Sequence, residues 1–333
     1  MNILIVTPNP LDTTSYYRAW GVFPYLAKEM GEVNLISDRG RSMSWVDIAQ
    51  YDLVYLHRPF TLEVLNFTRY CKEMAVPVWV DYDDDLTSIP EWMSFHDLYM
   101  TEGTQKIMST ILQLADKVTA STRNLADRLR LHTAGKEVTV IPNAFNDFIQ
   151  KPEAHYSENK IVMWRGSDTH HVDLMQFSDA IRSCMNRDDW EWMFFGYNPW
   201  FIPKTRHIPT MDPVMYFRTI RQINPGVMYV PLVDNVFNRC KSNINWIEGT
   251  MAGAVVLIPN FESWEWSSNT DALVYQDSEN LTERLSWLMN GESQLLRRRI
   301  HQEAVQYIRE NLLLSKVNQQ RIEIIEQLIF QAL

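Results

Sequence analysis

Three stretches of this 333-residue chain carry residue types that could do chemistry. In Pro231–Pro259, PLVDNVFNRCKSNINWIEGTMAGAVVLIP, a strand should end at Pro231-Leu232, followed by a polar loop over Asp234–Asn238. A helix is then expected from about Lys241-Ser242 through Glu248 toward Gly253. On such a helix Lys241 and Glu248 share one face, about 10 Å apart along the axis. That span suits a nucleoside diphosphate. The helix start offers N–H groups and positive dipole character to phosphate oxygens, Lys241 adds a full charge, and Glu248 can accept hydrogen bonds from ribose hydroxyls. An ordinary amphipathic helix with two solvated charges accounts for the spacing equally well.

The second stretch, Val162–Leu174 (VMWRGSDTHHVDL), joins a strand to a helix through glycine. Gly166 permits close backbone approach, Ser167 or Asp168 can cap the next helix, and Arg165 is placed to meet phosphate. His170 and His171 lack the acidic or cysteine partners of a metal site and read as exposed helix-start residues. The third stretch is Asp81-Tyr82-Asp83-Asp84-Asp85 at a strand end. Carboxylates so crowded repel one another unless they bind cations or hydroxyls. Binding or deprotonating an acceptor hydroxyl, capping a solvated loop, and holding a divalent metal are the uses open to it. His57-Arg58-Pro59 closes another strand, and Thr13–Arg18 is a polar loop running into the first helix.

Short apolar runs alternating with helix-period stretches must position these groups, as in parallel α/β domains. Strands are expected at Asn2–Thr7, Val33–Ser37, Leu53–His57, Val78–Asp81, Lys117–Ala120 and Thr139–Ile141. Helices are expected at Tyr17–Met30, Thr61–Met74, Thr104–Leu114 and Arg123–His132. After a polar stretch from Asp147 to Asn159 the alternation restarts, with strands at Ile161–Arg165, Trp190–Phe195, Val227–Val230, Ala254–Ile258 and Ala272–Tyr275. Its helices should be Val172–Asn186, Asp212–Ile223, Ser242–Met251 and Leu281–Met289. The expectation is two Rossmann-like domains, 1–152 and 153–312, facing across a cleft, with a helix over 313–333 crossing back to the first. That last helix shows apolar residues Val317, Ile324, Ile325, Leu328 and Ile329 at helical spacing.

Bulk properties exclude several classes. Three scattered cysteines without CxxC spacing argue against a disulfide framework or a zinc site. A net charge of −10 argues against a general nucleic-acid coat. The opening MNILIVTPNP lacks the sections of a signal peptide and no run is long enough to span a bilayer, so a cytoplasmic location is expected. Twelve tryptophans allow some to line a site, although each one singly reads as a core filler.

Pro231, Leu232, Phe237, Asn238, Lys241, Ser242 and Glu248 resemble the donor-binding signature P-L-x-x-x-x-F-N-x-x-K-S-x-x-K-x-x-E of retaining, family 4-like GT-B glycosyltransferases of compact bacterial or bacteriophage type. The chain departs from it at Asn245, where a second lysine is usual, and carries Cys240 where the E-x7-E form has glutamate. The resemblance implies an α/β GT-B enzyme that takes a nucleotide-sugar, with UDP favoured, and needs no metal or other cofactor. It implies Lys241 and Arg165 on the diphosphate, Glu248 on the ribose, and Gly166, Ser167, Ser242 and the backbone at Phe237-Asn238 around the donor. Tyr197 and Ile208 would lie by the nucleobase. Ser15, Tyr17, Arg18, His57, Arg58, Asp81 and Asp83 would face the acceptor, with Asp84 and Asp85 at the catalytic centre. The acceptor stays open between a hydroxymethylated pyrimidine in DNA, a cell-surface glycan, and a small molecule or protein side chain. Arg123, Arg128, Arg130 and Lys136 could form a groove for DNA, against an overall 13 Lys and Arg to 19 Asp and Glu in the first 150 residues. A non-catalytic nucleotide sensor is the alternative outside the enzyme class.

Overall fold

The computed structural model describes residues 1–8, 12–30, 33–36, 47–187, 189–203, 205–262, 264 and 273–332. Ser37, Ala272 and Leu333, which fall on expected elements, lie outside the described residues. Contacts gather the chain into two compact units. Unit 1 comprises Met1–Gln150, Cys240–Ser242 and Leu312–Leu333; unit 2 comprises Lys151–Arg239 and Asn243–Asn311.

Unit 1 is built on six parallel strands: β1 (Ile3–Val6), β2 (Val33–Ile36), β3 (Leu53–His57), β4 (Val78–Tyr82), β5 (Lys117–Ala120) and β6 (Val138–Val140). Their order is β2-β1-β3-β4-β5-β6. β1, β3 and β4 are buried along their whole length, which is why each opens on at least three consecutive apolar residues and does not alternate. Thr61, Thr101 and Thr122 each accept a backbone N–H at the start of the helices Leu62–Glu73, Glu102–Leu114 and Arg123–Arg130. The helix Leu314–Ala332 explains the tail's periodicity: Val317, Ile324, Ile325 and Leu328 pack with Ile3, Ile5, Tyr55 and Trp79.

The helix expected over Tyr17–Met30 is interrupted. A turn at Thr13–Ser15 runs into a π-helical turn, Tyr16–Trp20, and a separate helix begins at Phe23. Pro24 is the cause, because its ring would clash with the carbonyl of Trp20 and it has no N–H to continue the ladder. Gly21 closes the π turn, donating to Tyr16 O at 3.1 Å. A side chain there would meet that oxygen at 2.4 Å.

Unit 2 repeats the plan with β7 (Ile161–Gly166), β8 (Glu191–Gly196), β9 (Arg206–Ile208), β10 (Val227–Tyr229), β11 (Val255–Pro259) and β12 (Val274–Tyr275). The strands are parallel and ordered β12-β11-β10-β7-β8-β9. β9 has no counterpart among the expected strands. It is a three-residue edge strand of largely exposed, polar composition, too short to show a period. The single helix expected over Val172–Asn186 is two, His171–Gln176 and Ser178–Cys184, broken at Phe177, whose ring packs edge-on against Tyr275. Pro213–Ile223 carries Asp212 as its cap and Pro213 in its first turn, the ordinary opening of a helix. Trp79, Trp246 and Trp264 are among the largest fully buried side chains, so these three are core fillers. Among the described residues no helix is long and apolar enough to cross a membrane.

Candidate functional site

In unit 2 the chain proceeds outward from β7 to β8 and β9, then returns to β10 on the other side of β7. The loops leaving β7 and β10 therefore part, and the crevice of an open α/β sheet opens at that point. Two glycines clear the backbone beside it. Gly196, at the end of β8, has φ +95°, and a side chain there would stand 2.3 Å from Gly166 O. Gly166, at the end of β7, lies under the Trp164 ring, which an added carbon would meet at 2.6 Å. Tyr197 N donates to Gly166 O at 2.9 Å and ties the two strand ends together.

Arg165 and Glu248, 83 residues apart in sequence, form an ion pair through Arg165 Nη2 and Glu248 Oε2. Tyr216 on the helix Pro213–Ile223 donates its hydroxyl to the same oxygen at 3.2 Å, and the Arg165 guanidinium lies 5.4 Å from the Tyr216 ring centre. Burial pushes the Tyr216 hydroxyl well above its ordinary range, so it stays a donor. Glu248 is 2% exposed and Arg165 17% exposed, so the arginine is the outward member of the pair.

Asp173 is the hub of the neighbouring loop. Its Oδ1 accepts from Val233 N at 2.8 Å and from Asn238 Nδ2 at 2.9 Å, and its Oδ2 lies 2.8 Å from His170 Nδ1. His170 and His171 are thus partly buried and engaged, His171 with the Tyr197 hydroxyl at 2.6 Å, and not exposed helix-start residues. Asp173 and Tyr216 went unremarked in the sequence. Only the three-residue step from His170 to Asp173 pointed to the former, and nothing local pointed to the latter. Phe237 and Asn238 are buried on a short helical turn, Val236–Arg239, where a loop was expected. Ser167 is exposed and bonds Thr169 at 2.6 Å; neither it nor Asp168 provides the side-chain cap expected of them. Ile208 is half-buried at the end of β9.

The helix bearing Glu248 begins at Ile244, not at Lys241. Lys241 therefore does not share a helix face with Glu248, and the 10 Å spacing argument fails. The short helical turn Val236–Arg239 ends before Lys241, and Cys240–Ser242 belong by their contacts to unit 1. There, Thr122 Oγ1 donates to Cys240 O at 2.8 Å, Asn143 Nδ2 to Ser242 Oγ at 2.8 Å, and Lys241 Nζ lies 3.7 Å from Asp84 Oδ1.

Unit 1 also resolves the acidic cluster into separately neutralised parts. Asp81 faces the interior, taking both a 2.8 Å bond from Arg18 Nε and a 2.6 Å bond from Arg18 Nη2, with Thr119 Oγ1 at 2.5 Å. Burial would raise its carboxyl, but Arg18 holds it below the usual range. Arg18 Nη1 also donates to Ile141 O and Asn143 Oδ1, and the residue is 1% exposed. The expectation that Arg18 and Asp81 meet substrate is corrected accordingly: the π turn directs Arg18 inward, where it braces β4 against the chain beyond β6. Asp85 is likewise fully buried, bound by Thr87, Ser88 and Arg128, and serves a turn rather than a reacting atom. Ser15 is buried behind Asp12, which accepts its N–H at 2.7 Å, and Tyr17 is half-buried against Tyr16. Arg58 pairs with Asp83 and Asp84, and His57 Nε2 lies 3.1 Å from Asp83 Oδ1. His57, Arg58, Asp83, Asp84 and Lys241 thus make one connected polar group, of which Arg58, Asp84 and Lys241 reach solvent. Among the described residues no group of three or more His, Cys, Asp or Glu is placed to hold a metal ion.

No protein-family model matches the sequence, and no curated protein does. Solved structures match end to end. A glycosyltransferase from Rickettsia africae ESF-5 has 14% identity over 98% of each chain at TM-score 0.69. A sucrose-phosphate synthase from Thermosynechococcus elongatus has 11% identity, covering 99% of this chain and 100% of that chain at TM-score 0.73. Anabaena HepE in complex with UDP has 13% identity, covering 98% of this chain and 100% of that chain at TM-score 0.64. Likeness at such identities is likeness of fold: two Rossmann-like units in one chain, the GT-B fold.

Proposed function

We propose that the protein is a glycosyltransferase that moves a sugar from a nucleotide-sugar, UDP-sugar by preference, to an acceptor hydroxyl with retention of anomeric configuration. The observation that carries this reading is the end-to-end likeness to sugar-transferring proteins, one of them holding UDP. The crevice of unit 2 supports it with bare backbone at Gly166 and Gly196, an outward arginine and a buried carboxylate. In the proposed reaction Arg165 stabilises the departing diphosphate while the anomeric carbon gains oxocarbenium character. Glu248, set by Arg165 and Tyr216, takes the ribose hydroxyls, and Tyr197 and Ile208 adjoin the base. Unit 1 carries the acceptor, with Arg58 and Asp84 as the residues of the acidic segment that reach solvent.

A hydroxyl on a glycan or small molecule is favoured over duplex DNA as acceptor. Arg128 is bound to Asp85, Arg130 to Asp127 and Val138 O, and Lys136 to Gln113 O and Ala115 O. Three of the four cations considered for a DNA groove are thus engaged within the protein. The test is thermal shift against UDP, GDP, ADP and CMP, followed by mass spectrometry of acceptors, hydroxymethylated DNA included, incubated with pooled nucleotide-sugars. Stabilisation by UDP and a hexose mass gain on one acceptor are expected. Stabilisation without turnover on any acceptor would make the protein a nucleotide sensor, and inversion at the anomeric centre, read by NMR, would overturn retention.

A further inference from the structure

Asp173 makes bonds that its own helix does not use. It lies in the first turn of His171–Gln176, where an acidic side chain ordinarily serves the helix start, yet that helix has no side-chain cap. Its Oδ1 reaches instead to the loop leaving β10, where it accepts from Val233 N and Asn238 Nδ2. The same Asn238 Nδ2 donates its second hydrogen to Val233 O at 2.9 Å. One carboxylate oxygen, one amide nitrogen and the Val233 backbone thus close residues 233–238 into a ring.

The Asn238 amide has only one way round, because a carboxylate and a carbonyl both accept. That leaves its Oδ1 buried without a partner in a residue that is 0% exposed. Stranding that oxygen costs free energy, which the two bonds made by Nδ2 offset, so the loop keeps this shape while Asp173 receives one of them. Asp173 is itself 1% exposed, and among the described residues no lysine or arginine pairs with it. A carboxylate buried with only N–H groups and His170 around it is costly to keep, and what it secures is the place of the loop. The root of that loop is fixed separately: Tyr275 Oη accepts from Leu232 N at 2.8 Å and donates to Val230 O at 2.8 Å. Asn238 N donates to Asn235 Oδ1 at 2.8 Å and shapes the turn. Asp173 ties the loop across to the β7 side, and the parting of the β7 and β10 loops is what opens the crevice.

We propose that Asp173 is a positioning residue for the donor: by holding Val233–Asn238 to the helix after β7 it fits the crevice to the second phosphate and sugar of the nucleotide-sugar, and leaves base and ribose to other residues. The proposal rests on the transferase reading, which supplies the donor. The experiment is calorimetric titration of the whole protein with UMP and with UDP, on the parent, Asp173→Ala, Asp173→Asn and Asn238→Ala. Asp173→Ala should bind UDP about tenfold more weakly, the loss of a hydrogen bond to a charged group, and UMP within about twofold of the parent. Removing a negative charge would by itself tighten an anionic ligand, so a loss reports position and not charge. Asp173→Asn keeps an oxygen for Val233 N and Asn238 Nδ2 and should bind UDP within about threefold of the parent or more tightly. Asn238→Ala should lose UDP selectively as well, and it carries the comparison if Asp173→Ala does not fold. A residue that only supported the fold would lose both ligands alike or neither. The positioning role is overturned if Asp173→Ala binds UDP as tightly as the parent, if UMP falls in parallel, or if Asp173→Asn is as weak as Asp173→Ala. A parent that binds neither ligand overturns the nucleotide-sugar reading and the donor role of Asp173 with it, whereas a parent that binds both and is matched by Asp173→Ala sinks the positioning role alone.

Discussion

Glu248→Gln offers a sharp test of how unit 2 holds a nucleotide. The substitution keeps side-chain length and one oxygen, but replaces a charged acceptor that Arg165 and Tyr216 both address through Oε2. A hydrogen bond to a charged group contributes about 1.5–3 kcal/mol and a neutral one about 0.5–1.5, so the Tyr216 bond weakens by about 1–1.5 kcal/mol, while the Arg165 bond keeps the charge of its guanidinium. The Arg165 bond is partly relieved by water, because that side chain is 17% exposed, and the stability loss should stay near 1 kcal/mol. If Glu248 receives the ribose hydroxyls, UDP affinity falls by about tenfold. Calorimetric titration with UDP and with 2′,3′-dideoxy-UDP decides it. The parent should bind the dideoxy ligand about tenfold more weakly than UDP, and the variant should bind it no worse than the parent does, since the lost partner is already absent. An equal loss for both ligands would refute the ribose assignment and leave Glu248 acting only through Arg165.

Three further outcomes are expected. Gly196→Ala places a carbon 2.3 Å from Gly166 O at φ +95° and should cost about 3 kcal/mol or more in urea unfolding, whereas Gly103→Ala, with nothing within 4 Å, should be neutral or stabilising; a Gly196→Ala loss under about 1 kcal/mol would contradict the backbone approach. Lys241→Ala, removing the second cation that the sequence resemblance puts on the diphosphate, should lower the kcat of UDP-sugar hydrolysis by about 30- to 1,000-fold; full activity would remove Lys241 from that role. Burial lowers His301 from 6.5 to about 4, with Nε2 at 2.9 Å from Thr250 O. Its neutral form is favoured in the fold, so stability present above about pH 6.5 should drop by about 3 kcal/mol as pH falls to about 4, and His301→Gln should flatten that slope in denaturant titrations at stepped pH.

Local pattern sufficed for what depends on neighbours in the chain. Leu53–His57 and Lys117–Ala120 are strands over the expected residues, the first because a buried parallel strand needs an apolar run whatever lies beside it. Pro24 was in plain view, yet the break it causes was overridden by the helical period around it. Gly166 could be assigned to close backbone approach from sequence, since little but glycine tolerates it, but that Gly196 is what approaches it required the β7–β8 register. The chemistry of the charged groups was not local at all. Arg18 meets Asp81 across 63 residues and Arg165 meets Glu248 across 83, so one expected substrate ligand became an interior brace while another acquired a partner. Lys241 left the helix that its spacing implied. Propensity and period act over a few residues, whereas which carboxylate meets which guanidinium, and which polar atom is left without one, is set by chain closure over tens of residues.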